Sequence, residues 1–182
     1  MTDIYLARHG ETAANAEGRV QGWLDPPLND RGREQARVLA REVEPLGMRA
    51  LYTSQLARAR ETAEIVGAAV GLEARVDERF AESRRGAWEG KLLREIERDD
   101  PEGWAAWQRG GAHFRFPGGG ETLGEHAARV RAGLEDVAAG ELPALVVCHG
   151  GSVRCALAER RPEGLDAFFR IAVPNGSLTR LP

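Results

Sequence analysis

Lysine is almost absent from this chain: of 25 basic side chains only Lys91 is a lysine, and the others are arginines. Such a bias reads first as the mark of a GC-rich genome. It still matters locally, because the planar guanidinium fork matches phosphate geometry. A basic excess is lacking too. The formal net charge of −3 excludes bulk binding to nucleic acid or to a membrane surface. Cysteine is scarce: Cys148 and Cys155 lie in one apolar stretch, too few and too close for a disulfide framework. A reducing cytoplasm is therefore the expected compartment. The first residues, MTDIYLARHG, lack a basic segment followed by a long apolar one, so no signal peptide is expected. No stretch approaches the roughly 18 apolar residues of a spanning helix.

What is present suits a globular chain. The 182 residues, 42% hydrophobic and 29% charged, are enough for one domain over 1–182 without disulfide or metal staples. Residues 3–7 (DIYLA) form a short apolar strand that stops at Arg8-His9-Gly10, and residues 11–28 have no period and form a loop. Asn29 or Asp30 caps a helix over 30–46 with Ala36, Leu39, Val43 and Leu46 on one face. A strand at 49–53 follows, then a helix capped by Ser54 and carrying Leu56, Ala59, Ala63, Val66 and Val70 inward. A short strand at 74–77, a helical region around Trp104 and Trp107, and a helix over 122–139 lead to the apolar strand 144–148 (ALVVC). That unbroken apolar run suits a strand covered on both faces. It enters His149-Gly150-Gly151 and another helix, and 177–181 closes the pattern as an edge strand.

Alternating strands and helices predict an α/β fold: a three-layer α/β/α sandwich with a mainly parallel sheet and a C-terminal edge strand. Ligands of such sheets collect beyond the carboxyl ends of the strands. Two His-Gly pairs, His9-Gly10 and His149-Gly150, fall at that edge. A neutral imidazole there is a nucleophile at working pH, and Arg8 beside it can neutralise a phosphate.

The blocks Arg8-His9-Gly10-Glu11 with Thr12 and Asn15, PPLNDRGREQA (26–36), SQLARARETA (54–63), FAESRRGAWEG (80–90), PGGGE (117–121) and VVCHGGSVR (146–154) stand in order along the chain. This set resembles the histidine phosphatase (phosphoglycerate-mutase-like) superfamily. The resemblance implies a phosphohistidine on His9. It implies Arg8, Arg58 and His149 around the phosphoryl group, Asn15, Gln21, Gly22 and Gly150 as further binding residues, and Glu82 as acid and then base. It implies metal-independent hydrolysis of a phosphomonoester, with no cofactor and a small-molecule phosphate ester as partner; a homodimer is left open. Arg58 falls in the first turn of its helix, where free N–H groups also favour an anion.

Several rivals share these residues. Cys148 and Arg154 have the C-x-x-x-x-x-R spacing of cysteine-dependent phosphatases, although Cys148 also continues an apolar run. A metal hydrolase has no H-E-x-x-H or paired C-x-x-C here. A phosphoglycerate mutase of this superfamily resembles a longer chain, with segments that enclose the substrate. A non-catalytic phospho-ligand module would not need both histidines, both arginines and Glu82. The candidate selectivity residues are Gln21, Gly22, Trp23, Arg84, Arg85, Trp88, His113 and Arg115, all in loops near the motifs, with substrate contact by His113, Arg84 and Arg85 left open. Glu89 ranks below Glu82 as the acid on motif position, and His126, off its helix's apolar stripe, is expected at the surface.

Overall fold

The computed structural model describes residues 3–109 and 111–182. Five strands form one sheet: β1 (Ile4–Arg8), β2 (Ala50–Thr53), β3 (Ala74–Val76), β4 (Ala144–Cys148) and β5 (Leu178–Arg180), in the order β3-β2-β4-β1-β5. All neighbours are parallel except β5, which runs antiparallel to β1 at the edge. The helices are α1 (Ala13–Glu17), α2 (Asp30–Val43), α3 (Ala57–Val70), α4 (Leu93–Asp99), α5 (Pro101–Arg109), α6 (Leu123–Ala138) and α7 (Gly150–Ala158). Among the described residues, none of them is long and apolar enough to cross a membrane.

Strand alternation sorts the core into two layers. Leu145 and Val147 of β4 join Ala7 and Leu51 against Leu39 and Val43 of α2 and Ala63 and Val66 of α3. Ala144, Val146 and Cys148 point the other way, onto Val130, Leu134 and Val137 of α6 and Val153 and Ala156 of α7. Strand β4 is buried along its whole length, which is why its sequence shows no polar alternation. The α/β/α sandwich, the mainly parallel sheet and the edge strand are as expected from the sequence.

Local chemistry departs from expectation at several points. Residues 11–28 are not all loop, because Thr12 caps α1 in a reciprocal box with Asn15. Helix α2 stops at Val43 and a tighter turn, Glu44–Leu46, with Pro45 near its start, takes over. Leu56 rather than Ser54 is the N-cap of α3; the Ser54 hydroxyl accepts the Leu56 N–H at 3.3 Å but is turned to His149. His126 is fully buried rather than exposed.

Candidate active site

The site follows from register. Arg8 of β1 pairs with Cys148 of β4, so the next residues, His9 and His149, leave adjacent parallel strands at the same level. Their ring centroids lie 5.1 Å apart. The His9 N–H donates to the Cys148 carbonyl at 2.9 Å, while its Nδ1 lies 2.6 Å from the Gly10 carbonyl. A carbonyl only accepts, so Nδ1 carries the proton and Nε2 keeps its lone pair. Gly10 is required there by close approach: a Cβ would run into the backbone of Gly32 in α2. The other imidazole is fixed by a 2.7 Å contact between His149 Nε2 and Ser54 Oγ. Burial first, and then the Arg58 charge, pushes both histidines well below their usual range. Both are therefore neutral at neutral pH.

Two guanidinium groups flank them. Arg58, 1% exposed, donates from Nη2 to the Gly22 carbonyl and from Nη1 to the Leu24 carbonyl, both at 2.8 Å. Arg8 donates from Nη1 to the Val173 carbonyl at 2.7 Å. In both, Nε is buried without a protein partner. A buried unmet donor costs about 1–3 kcal/mol, and an anion between the two arginines would remove that cost twice. Asn15 contributes from the side. Its Oδ1 is occupied by the Thr12 N–H and the Asn175 amide, each at 3.2 Å, which leaves its own Nδ2 hydrogens for the cavity it lines.

Glu82 sits opposite, its side chain 14% exposed. One carboxylate oxygen accepts the Ser83 N–H at 2.8 Å and the other the Gly151 N–H at 3.1 Å. A Cβ on Gly151 would strike the carboxylate and crowd the His126 ring, so a larger residue would push Glu82 out of this position. Burial alone would raise this carboxyl, but the Arg85 charge, with the Ser83 N–H, holds it well below the usual carboxylate range. The Glu82 carbonyl is tied by Trp23 Nε1 at 2.8 Å and Arg129 Nη2 at 3.0 Å.

Arg8, His9, Asn15, Arg58 and Glu82 line a cavity of about 170 Å³, while His149, fully buried, stands beside His9 just beneath its wall. Gln21, Gly22, Arg85, Trp88 and Gly150 line it as well, and so do residues that the histidine motifs do not assign to the site, among them Arg19, Trp107 and Arg154. Other expected contacts lie elsewhere. Arg84 stacks on the Trp23 ring at 3.7 Å, His113 is exposed away from the cavity, and Arg115 is spent on the Gly120 carbonyl and Glu125. Glu89 is a brace, accepting the Arg85 N–H at 2.8 Å and the Trp23 N–H at 3.2 Å. Cys148 faces the α6–α7 core, where burial pushes its thiol up to about 12; a thiolate nucleophile is disfavoured there. No group of three or more His, Cys, Asp or Glu side chains suited to a metal ion occurs among the described residues.

His126 has a structural part to play. Its Nε2 lies 3.0 Å from Ser152 Oγ, whose single hydrogen is shared between the Phe80 and Ala81 carbonyls just before Glu82. Replacing His126 with alanine is expected to destabilise the fold by about 2–4 kcal/mol. The urea midpoint should fall with the slope unchanged. A loss under about 0.5 kcal/mol would fit only a solvated residue.

The sequence pattern of the histidine phosphatase superfamily (branch 1) matches residues 4–182. Among curated relatives, the probable phosphoglycerate mutase GpmB of Serratia proteamaculans is 36% identical, covering all of this chain and 85% of its own length. Phosphoglycerate mutase-like protein 4 of Arabidopsis thaliana is 38% identical over 88% of this chain and 71% of its own. Among solved structures, a mycobacterial glucosyl-3-phosphoglycerate phosphatase complexed with VO3 superposes with a TM-score of 0.86 at 30% identity, covering 96% of this chain and 88% of that one. A putative alpha-ribazole-5'-P phosphatase from Escherichia coli gives a TM-score of 0.83 at 29% identity, covering 96% of this chain and 87% of that one. With two strand-end histidines side by side, one of them lining the cavity, and a match along nearly its whole length, the chain belongs to the histidine phosphatase superfamily, branch 1.

Proposed function

We propose that this chain hydrolyses small phosphomonoesters through a phosphohistidine on His9. One observation carries the reading. The Nδ1–H of His9 is held by the Gly10 carbonyl, so the Nε2 lone pair is available at a cavity where Arg8 and Arg58 keep unspent buried donors. Nε2 attacks phosphorus as the ester P–O bond breaks, and Glu82 gives its proton to the leaving oxygen. Glu82 then takes a proton from the water that attacks phosphorus, and the N–P bond breaks to release phosphate. Charge on the equatorial oxygens is met by Arg8, Arg58, His149 and Asn15. Because these groups supply the positive field, turnover is expected to survive EDTA.

A second reading, transfer of the phosphoryl group between two oxygens of one substrate, is favoured by the mutase names of the two relatives above. A panel of phosphate esters, with phosphate release and 3-phosphoglycerate isomerisation measured in parallel, separates the two. Release is expected to dominate; isomerisation outpacing release would establish the mutase.

The pH profile carries its own expectation. His9 lies well below 6.5, so it loses its proton, and gains nucleophilicity, well before neutrality. Glu82 is ionised in the empty cavity, so the catalytic proton arrives with the substrate, whose second ionisation lies near pH 6. The ratio kcat/KM should therefore fall about tenfold per pH unit above roughly that value. A flat profile from pH 5 to 9 would contradict this proton inventory.

A further inference from the structure

The segment that carries Glu82 has no ladder of its own. Strand β3 ends at Val76 and α4 begins at Leu93, with only two short tight turns, Glu78–Phe80 and Gly86–Trp88, between them. Its backbone is pinned by side chains from elsewhere. Ser152 Oγ serves the Phe80 and Ala81 carbonyls, and Trp23 Nε1 serves that of Glu82. Arg129 of α6 contributes most. Its Nη1 donates to the Arg79 and Ala81 carbonyls, both at 2.7 Å, and its Nη2 to the Glu82 carbonyl at 3.0 Å.

The rest of the guanidinium meets a carboxylate. Nε and Nη2 donate to the two oxygens of Glu121 at 2.7 and 2.8 Å, a bidentate pair. A guanidinium carries five N–H donors in a rigid fork, and here all five are spent, three on carbonyls of the acid's segment and two on Glu121. Glu121 also grips the segment from its other side. It directly precedes Thr122, the cap of α6, and its N–H donates to the Arg84 carbonyl at 2.9 Å. Farther along the same helix, Gly133 lies so close to Phe80 that a Cβ would strike the ring. Helix α6 is therefore a firm base for residues 79–84.

We propose that Arg129, locked by Glu121, is a positioning residue for Glu82, and that it governs proton transfer to the leaving oxygen without touching the substrate. The inference rests on the hydrolase reading above and concerns its acid step. Arg129 does not line the cavity, so it acts only through the backbone that it holds. A carboxyl group delivers its proton when it lies within hydrogen-bond reach of the leaving oxygen. Displacement by about 1 Å through a change outside the chemistry can cost about 10²-fold. Binding of the phosphoryl group is a separate matter. Arg8, His9 and Arg58 are braced by the carbonyls of Val173, Gly10, Gly22 and Leu24, none of them on this segment.

The test sets a poor leaving group against a good one. Glycerol 3-phosphate expels an alkoxide that needs a proton, whereas p-nitrophenyl phosphate expels a phenolate that leaves with little help. In Arg129→Met, kcat/KM is expected to fall about 10²-fold for the first ester and about threefold or less for the second. Inhibition by inorganic phosphate should stay within about twofold of wild type, as the phosphate ligands keep their supports. Glu82→Gln should show the same selectivity, and adding Arg129→Met to it should cost nothing further with glycerol 3-phosphate, since both changes remove one function. Arg129→Lys should recover little, one ammonium being unable to span these acceptors. Removing Arg129 alone strands the Glu121 carboxylate. The paired variant Arg129→Met/Glu121→Gln avoids this, and its selective loss decides the matter if the single variant does not fold. Equal losses on both esters, an added loss in the Glu82→Gln background, or wild-type kinetics would overturn the inference. A selective Glu82→Gln beside an unselective Arg129→Met leaves the hydrolase standing without Arg129. An unselective Glu82→Gln, or no His9-dependent release from a broad ester panel, rejects the acid assignment and the inference together.

Discussion

Phosphate release from p-nitrophenyl phosphate is expected to drop by about 10⁵-fold or more when His9 is replaced by alanine, the scale seen when a covalent nucleophile is removed. The reason lies in the geometry: no other side chain offers a held imidazole with a free Nε2 at this cavity. His149 cannot substitute, since its Nε2 is engaged with Ser54 at 2.7 Å. Stability should change little beside activity, because the backbone bonds around His9 (its N–H to Cys148, its carbonyl to Asn175) do not involve the imidazole. Quenching a wild-type reaction should trap phosphate on His9 as an adduct that is labile in acid and stable in alkali. An acid-stable, alkali-labile adduct, or a variant that keeps a tenth of the turnover, would reject His9 as nucleophile.

Arg58 ranks next. Its replacement by methionine is expected to cost about 10³-fold in kcat/KM, through two losses that act together. The transferring phosphoryl group loses a buried cation, and the carbonyls of Gly22 and Leu24 lose the donors that shape the cavity wall. Lysine should rescue little, since one ammonium cannot span both carbonyls and still present a donor to the phosphate. Inhibition by inorganic phosphate or vanadate should weaken in parallel. Near-normal kinetics in Arg58→Lys would mean that charge alone is needed and that the fork is incidental.

The parts of the site that rest on periodicity and strand ends were readable in the sequence. An apolar run followed by His-Gly, twice, places both imidazoles at the carboxyl edge of a parallel sheet. The ordered motifs then distinguish Arg58 and Glu82 from ordinary surface charges. Long-range pairing was not readable. Arg154 lies just over one turn into α7 and, outside its spacing from Cys148, looks like any helical arginine, although it lines the cavity. Arg129, three residues after His126, holds the carbonyls of Arg79 and Ala81 at 2.7 Å. Nothing in its neighbours announces this. His126 was misread because its helix has two buried sides: one packs on the sheet through Val130, Leu134 and Val137, the other against Ser152. A single apolar stripe cannot express that arrangement. Its one available signal was Ser152, a hydroxyl set in the buried start of α7 beside Gly151.

Strand β5 gives the order of events during synthesis. Residues that immobilise the nucleophile come from the far end of the sequence: the Val173 carbonyl receives Arg8, the Gly176 N–H reaches the Arg8 and His9 carbonyls at 3.1 Å, and Asn175 holds His9 at 3.2 Å. The first strand thus emerges from the ribosome without the partners that fix its catalytic end. Contacts at such separation carry a large loop-closure cost and form late. A nascent chain halted before residue 173 would have the helices and most of the sheet available to it, and His9 would have its Cys148 bond, yet the carbonyls of Arg8 and His9 and the Arg8 guanidinium would lack their anchors. Activity should therefore appear abruptly once residues 173–176 have been added and released, rather than growing with chain length.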